Sequence, residues 1–248
     1  MAGLFDIASS GIQAYREALA ITGQNIANID TEGYRRRAVS LSEISASQND
    51  ITTIADQTGL GVQVAGIDRA FDSFITGRAR DATSDFSQAE AYQGTLDVLE
   101  STLVPQDYDL GYFINGFFDG LNGITQSPGD LAARMVALTS GGALANGFSQ
   151  LASGLDDLRA TIWDQAQLVT NETNTLLVSL QSTQSQLIAS GSNTGAANSI
   201  LDARDKIITD ISALIGVSVA SQTSGAAVVT LGSSGSGPLL GNASSAGA

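Results

Sequence analysis

The placement of proline most constrains how this chain can fold. The 248 residues contain only three prolines, at positions 105, 128 and 238. Proline removes a backbone donor and breaks the interior of a helix, so long uninterrupted helices can form on both sides of residue 128. Hydrophobic residues make up 43% of the chain but aromatic residues only 6%, so small and aliphatic side chains must build the core.

Charge and two missing residue types exclude several classes of function. With 25 acidic and 11 basic residues, the formal net charge is −14. That charge disfavours nucleic acid and anionic membrane surfaces as partners, since both require a basic surface. The chain has no cysteine and no histidine, which removes disulfides, thiolate metal sites and the commonest general base. An enzyme is therefore the weakest reading, and we expect no catalytic residues, no cofactor and no metal.

The sequence also indicates no membrane insertion and no cleaved signal peptide. No segment approaches the about 20 consecutive apolar residues that a membrane-spanning helix needs. Met1 to Asp6 contain no basic residue, and charges recur at Arg16 and Glu17, unlike the basic and then apolar start of a signal peptide.

Residues 3–28 carry the pattern of one amphipathic helix with two neighbouring apolar tracks. The first track consists of Phe5, Ile12, Leu19 and Ile26, with Ala8 and Tyr15 between them, and the second of Leu4, Ile7, Gly11, Ala14, Ala18 and Ile21. Burying four large side chains yields about 1.5–3 kcal/mol each, whereas ordering the backbone costs about 1–2 kcal/mol per residue. The helix therefore needs a partner, from its own chain or from another subunit.

A small β element and a second long helix should follow. The expected elements are a turn at 28–34, an extended segment at 38–46, a polar loop at 47–58 and an alternating strand at 62–67. Asp68 or Asp72 would then cap a long helix that ends at Pro105.

The second half of the chain is expected to be helical before it turns to strands. The expected elements are a short buried helix at 117–124, a helical pattern from 131 to about 189 whose stretch 162–188 resembles a low-charge coiled coil, a linker at 190–195, a helix opened by Asn198 or Ser199, and strands at 217–219 and 228–231. Breaks are expected near Gly141 and Gly142, a helix cap at Gly216 and a hairpin turn at Ser224-Gly225. The tail should end without a packed element.

Several of these segments resemble known proteins. Gly3 to Ala14, Thr22 to Asn28 and Thr31 to Arg36 together resemble the start of flagellar axial proteins, the rod, hook and hook-associated subunits. The stretches 59–75 and 117–134 resemble the hook-associated protein 1 family, as does 201–219, which begins Leu201-Asp202-Ala203-Arg204-Asp205. The resemblance runs over essentially the whole chain.

The resemblance implies a structural subunit at the hook–filament junction, needed for motility. It implies type III export without a cleaved signal peptide, an extracellular location in the flagellum, and a first helix that folds as it stacks in a tube. Its expected partners are further copies in a helical array, hook subunits, the next hook-associated protein and an export chaperone. The alternatives are another axial subunit, such as a hook or rod protein, or a helical binding or adhesin-like module.

The resulting fold prediction is mainly α with a small β component. It combines a long helical bundle or coiled-coil rod with an N-terminal axial helix and the start of an α+β outer domain. The expected domains are 1–46, which hold the axial helix and extended segment, 47–195, which form the rod with a β element near 59–67, and 196–248, which begin the outer domain. Members of the family are longer and end in a second terminal helix, a pattern missing after residue 220, so we expect this chain to be an N-terminal portion.

The candidate assembly interface combines the first helix with the turn that follows it. Its members are Leu4, Phe5, Ile7, Ile12, Tyr15, Leu19, Ile26, Asn28, Gly33, Tyr34, Arg35 and Arg36. Arg35 to Arg37 form the one basic cluster of an acidic chain, and either lie in a solvated loop or pair with acids of a neighbouring subunit. We expect Asp202, Arg204 and Asp205 to form ion pairs on a helix surface, worth about 0–1 kcal/mol.

The remaining polar motifs favour structural roles. The spacing of Asn28, Asp30, Glu32 and Gly33 resembles the start of a calcium loop, but its twelfth position is Val39, where such a loop requires a glutamate. A helix-ending turn is therefore the favoured interpretation. The motif Gly59-x-Gly61 is expected to mark a loop that enters a strand. Asp107-Tyr108-Asp109 and Asp156-Asp157 are expected to be acidic pairs on solvated faces.

Overall fold

The computed structural model describes residues 4–44, 60–104, 109–190, 195–222, 226–232 and 234–241. These ranges contain five helices and five strands. The helices are α1 (Leu4–Ala27), α2 (Ser73–Leu103), α3 (Leu110–Gln126), α4 (Leu131–Ser190) and α5 (Gly195–Leu214), and the strands are β1 (Arg37–Glu43), β2 (Val62–Arg69), β3 (Val217–Ser221), β4 (Ala227–Leu231) and β5 (Leu239–Gly241). The prediction of a mainly α fold with a small β component is confirmed.

The chain divides into two compact units. The first unit comprises 1–85 and 173–248, and the second comprises 86–172. Several predicted features lie outside the described residues, namely the polar loop at 47–58, Gly59, Pro105, Asp107, most of the 190–195 linker and the turn at Ser224-Gly225. The predicted domain boundaries stay predictions.

In the first unit, α1 lies on a two-stranded antiparallel ribbon. β1 pairs with β2 from Arg37 opposite Arg69 onward, with a bulge after Ser40. The small track of α1 faces this ribbon, where Ala14 and Ile21 are buried. The Ser10 hydroxyl accepts a hydrogen bond from the Val62 N–H at 3.2 Å. Small side chains thus let the helix backbone approach the two strands closely.

The apolar core of the first unit lies elsewhere. It joins the end of α4 to α5 and to the antiparallel sheet β3–β4–β5 through Leu180, Ile208, Ile211, Val217, Ala227 and Val229. The expectation of an unpacked tail is wrong, because β5 pairs with β4. Gly235, with φ +70°, lets the chain reverse, and the Leu231 N–H then donates to the Pro238 carbonyl at 2.9 Å.

Two helix-boundary predictions also need correction. α5 begins at Gly195, before Asn198. It ends at Leu214, and Gly216 does not adopt the left-handed conformation of a C-terminal cap. Its carbonyl instead accepts a hydrogen bond from the Gly232 N–H at 2.8 Å, so Gly216 starts the sheet rather than closing the helix.

The second unit contains the C-terminal part of α2, all of α3 and most of α4, residues 131–172. Asp109 caps α3, since its side chain accepts from the Tyr112 N–H at 2.7 Å, and α3 is longer than the predicted 117–124. α3 is also less buried than predicted, and the Phe118 side chain, for example, is 58% exposed. α3 and α4 lie close together at Gly120, where a Cβ would lie 2.9 Å from the Ala137 Cα.

The predicted helix break near Gly141 and Gly142 is wrong. α4 is one helix of 60 residues. Glycine inside a helix costs about 1 kcal/mol relative to alanine, yet a Cβ on Gly141 would lie 3.3 Å from the Phe117 ring. The missing side chain at Gly141 therefore makes room for an aromatic ring of α3 and does not end the helix.

Candidate assembly surface and its buried charge cluster

α1 leaves its large apolar track uncovered. Phe5, Ile12, Tyr15, Leu19 and Ile26 are each between 60% and 90% exposed. We call these five residues the open face. Leu4 is exposed beside them, whereas Ile7 belongs to the track on the ribbon and is half-buried. A grouped set of exposed apolar side chains, unlike a scattered one, marks an interaction site.

The Asn25 side chain holds the backbone of the turn after α1. The sequence patterns did not identify this residue. The Asn25 amide donates to the Arg37 carbonyl at 2.8 Å, and its oxygen accepts from the Arg37 N–H at 2.9 Å. The same oxygen accepts from the Tyr34 hydroxyl at 2.8 Å. Asn25 therefore ties the end of α1 to the start of β1 as a strand partner would.

Replacing Asn25 with alanine should lower the free energy of unfolding by about 1–3 kcal/mol, because the two backbone groups of Arg37 and the Tyr34 hydroxyl lose their partner. Urea denaturation followed by circular dichroism measures this change. The neighbouring Gln24→Ala variant is the control, since Gln24 is exposed and should change stability by about 0.5 kcal/mol or less. Equal transitions for the two variants would contradict the role given to Asn25.

The other predicted interface residues occupy the same turn. Gly33 has φ +82°, and Lys206 packs against its α-carbon. Asn28, Tyr34 and Arg35 are half-buried, while Arg36 is exposed. The structure thus brings the turn beside α5, whereas the open face of α1 stays exposed.

Six charged side chains are buried where β1, β2, α2 and α5 meet. The members of this charge cluster are Arg37, Arg69, Arg80, Asp202, Arg204 and Asp205, none with a side chain more than 10% exposed. Arg204 and Asp205 do form an ion pair, but the expectation that Asp202, Arg204 and Asp205 lie on a helix surface is wrong, because all three are buried.

Asp202 sits at the centre of the charge cluster. One carboxylate oxygen lies 3.0 Å from an Arg37 guanidinium nitrogen, and the other lies 2.9 Å from Arg69. A second guanidinium nitrogen of Arg69 lies 2.8 Å from a carboxylate oxygen of Asp205. Arg37 thus pairs inside its own chain, which contradicts both predicted roles for it, in a solvated loop or at a neighbouring subunit.

Asp205 extends the cluster to α2. Arg204 lies 2.7 Å and Arg80 3.8 Å from one of its carboxylate oxygens. Burial lowers the pKa of the Arg80 guanidinium, Asp205 opposes that shift, and the nearby positive charges of Arg204, Arg35 and Arg69 add to it.

The charge cluster holds four arginines and only two carboxylates, so further contacts must stabilise its excess positive charge. The Arg37 guanidinium lies 5.0 Å from the Tyr34 ring centroid, and that of Arg69 lies 4.5 Å from Phe71. Arg37 also donates to the Ser199 hydroxyl at 3.1 Å. Aromatic faces attract cations. The Tyr34 and Phe71 rings and the Ser199 hydroxyl therefore help the two aspartates to stabilise the positive charges of the arginines.

A groove of about 780 Å³ lies between the end of α1, the following turn and α5. At its edge, the Lys206 ammonium lies 3.1 Å from both Glu32 and Asp210. Hydrogen bonds raise the pKa of the Lys206 ammonium, the bond to Asp210 more than the bond to Glu32. Glu32, which belongs to the spacing that resembles the start of a calcium loop, thus forms an ion pair with Lys206.

The described residues hold neither a metal-binding cluster nor a membrane-spanning helix. They contain no group of three or more acidic side chains placed to hold a metal ion. Among the helices that the structure describes, none is long and apolar enough to cross a membrane. Asp156 pairs with Arg159 at a site where both side chains are more than 70% exposed, which confirms a solvated acidic pair there.

Comparison with known proteins places the chain in a family. A model of the flagellar hook-associated protein FlgK helical domain matches residues 96–247, more than half of the chain. The chain belongs to this family. A second model, for flagella basal body rod proteins, matches residues 5–35, which hold α1 and the turn after it.

Curated relatives agree with the family models. Flagellar hook-associated protein 1 of Escherichia coli (strain K12) is 26% identical over 233 residues, and that of Bacillus subtilis (strain 168) is 25% identical over 224 residues. The same-named protein of Salmonella typhimurium is 26% identical over 235 residues. These alignments cover 93%, 89% and 93% of this chain but 42%, 44% and 41% of the relatives. The chain therefore spans less than half the length of these relatives.

Proposed function

We propose that the chain is a structural subunit of the bacterial flagellum and acts at the hook–filament junction. The open face of α1 is the observation that carries this proposal. It lies within residues 5–35, which match the rod-protein family, and it exposes large apolar side chains that a soluble helix would otherwise cover. Membership in the hook-associated family supports the junction among the possible positions in the flagellum.

Assembly would bury the open face against further copies of the chain in a helical array. The N-terminal helix is proposed to complete its folding as it stacks, because only Ala14 and Ile21 of α1 are buried within the chain and a helix gains most of its stability from packing. Arg36 is exposed beside this helix, where it would pair with acidic residues of the next subunit. The role requires no catalysis.

The proposed partners follow from the position in the flagellum. They are hook subunits on one side, the next hook-associated protein on the other, and an export chaperone before assembly. The chain would leave the cell through the type III export apparatus without a cleaved signal peptide and remain extracellular.

Deleting the gene should leave cells that build hooks but release filament protein into the medium and do not swim. Immunoblots of the medium, electron microscopy of hooks and soft-agar swimming measure these three outcomes, and a plasmid copy of the gene should reverse the defects. Unchanged swimming would contradict the proposal. Cells without hooks would instead support the alternative of a rod or hook subunit.

A further inference from the structure

α1, β1 and β2 form a module that meets the rest of the first unit through polar contacts. The Ser10 and Asn25 side chains bind α1 to the ribbon at two places. The apolar core described above draws its members from α4, α5 and the three-stranded sheet, and within the described residues none comes from this module. A different kind of contact must therefore hold the module on α5.

That contact is a joint centred on Asp202. Its carboxylate binds Arg37 at one end of β1 and Arg69 at the paired end of β2. The backbone N–H of Arg35 also donates to Asp202, at 3.4 Å. Close by, the Asn198 side-chain amide donates to the Ile67 carbonyl at 2.7 Å. One aspartate of α5 thus grips both strands of the ribbon.

We propose that Asp202 is a positioning residue, which sets the direction in which α1 presents its open face. The inference rests on the proposed function only where it calls that face an assembly surface. Apolar burial is non-directional, whereas charge-assisted hydrogen bonds have defined geometry. Two arginines held by the two oxygens of one carboxylate fix two points of the ribbon, and α1 follows the ribbon.

The same chemistry predicts what happens when the carboxylate charge is lost. Removing one partner of a buried ion pair leaves the other as an uncompensated buried charge. Here Arg37 loses its one aspartate, and Arg69 keeps only Asp205, which it shares with Arg80 and Arg204. Moving the module off α5 returns these guanidinium groups to water and leaves the apolar core intact. The module should therefore change direction while the core keeps its fold.

Distances between two spin labels can test this inference on the isolated full chain. The chain has no cysteine, so Gln63→Cys on β2 and Ser185→Cys on α4 would carry the only two labels, both at exposed positions of the first unit. Because one label lies on the ribbon and not on α1, the measured distance reports the position of the module whether or not α1 is fully folded. The parent should give one narrow distance distribution by pulsed electron paramagnetic resonance.

Asp202→Asn should broaden that distribution into more than one population, while hydrogen exchange of Ile208 and Ile211 in the core stays as in the parent. The matched control is Asp156→Asn, which removes an ion-paired but exposed aspartate and should keep the narrow distribution. An unchanged distribution in Asp202→Asn would overturn the proposal.

A second variant covers the case in which Asp202→Asn also unfolds the core. Arg37→Gln removes one of the two arginines that Asp202 holds and leaves Asp202 paired with Arg69, so a broadened distribution in a protected core would support the proposal, whereas a narrow one would overturn it. These measurements do not depend on assembly. A deletion strain that swims normally would remove the proposed function and leave the result for Asp202 as it stands.

Discussion

The double variant Ile12→Asp and Leu19→Asp is expected to be exported but to fail to rescue a deletion strain. Each replaced side chain lies on the open face and is at least 60% exposed in the chain alone. Burial of each in an assembly would contribute about 1.5–3 kcal/mol, so losing both weakens a subunit contact by about 10²- to 10⁴-fold. The new carboxylates add a desolvation cost to that loss.

The monomer itself should tolerate the same change. Since neither side chain is packed, the free energy of unfolding should change by about 1 kcal/mol or less. Filaments per cell, counted by electron microscopy, and the amount of variant in the medium measure assembly and export. Filament numbers like those of the parent would contradict the assembly role of the open face.

A matched pair one position along the helix provides the control. Gln13→Asp and Ala20→Asp have the same spacing and introduce the same charges, but they point about 100° around α1 from the open face. Both positions are exposed. If this pair also abolished filaments, added charge on α1 would explain the loss and the open face would not.

Periodic patterns explain why much of this fold could be predicted from the sequence. The two tracks of α1 depend only on residues three or four apart, and the helix lies at Leu4–Ala27 against the predicted 3–28. The sequence did not indicate which of the two tracks the chain itself covers. The answer depends on packing against the β1–β2 ribbon, whose strands come after the turn that follows α1. The small track fits the ribbon closely and leaves the large one outside.

The charge cluster shows where local patterns fail. Arg37, Arg69 and Arg80 meet Asp202 and Asp205 across separations of more than 120 residues, and no local window contains such a contact. A signal was nevertheless present in α5. Arg204 precedes Ile208 by four residues and Ile211 by seven, so it falls on the face that the apolar residues already marked as buried, whereas Asp202 points away from Ile211 and carried no such signal.

That face of α5 packs against Leu180, and replacing this leucine with alanine should have the largest effect on stability. Leu180 is 1% exposed at the centre of the core formed by α4, α5 and the sheet, so its truncation should cost about 2–5 kcal/mol of unfolding free energy. Urea denaturation measures the loss. Leu168→Ala removes the same atoms from α4 at a side chain that is 67% exposed and should cost about 0.5 kcal/mol or less. Similar losses for the two variants would mean that burial of α4 against the sheet does not hold the first unit together.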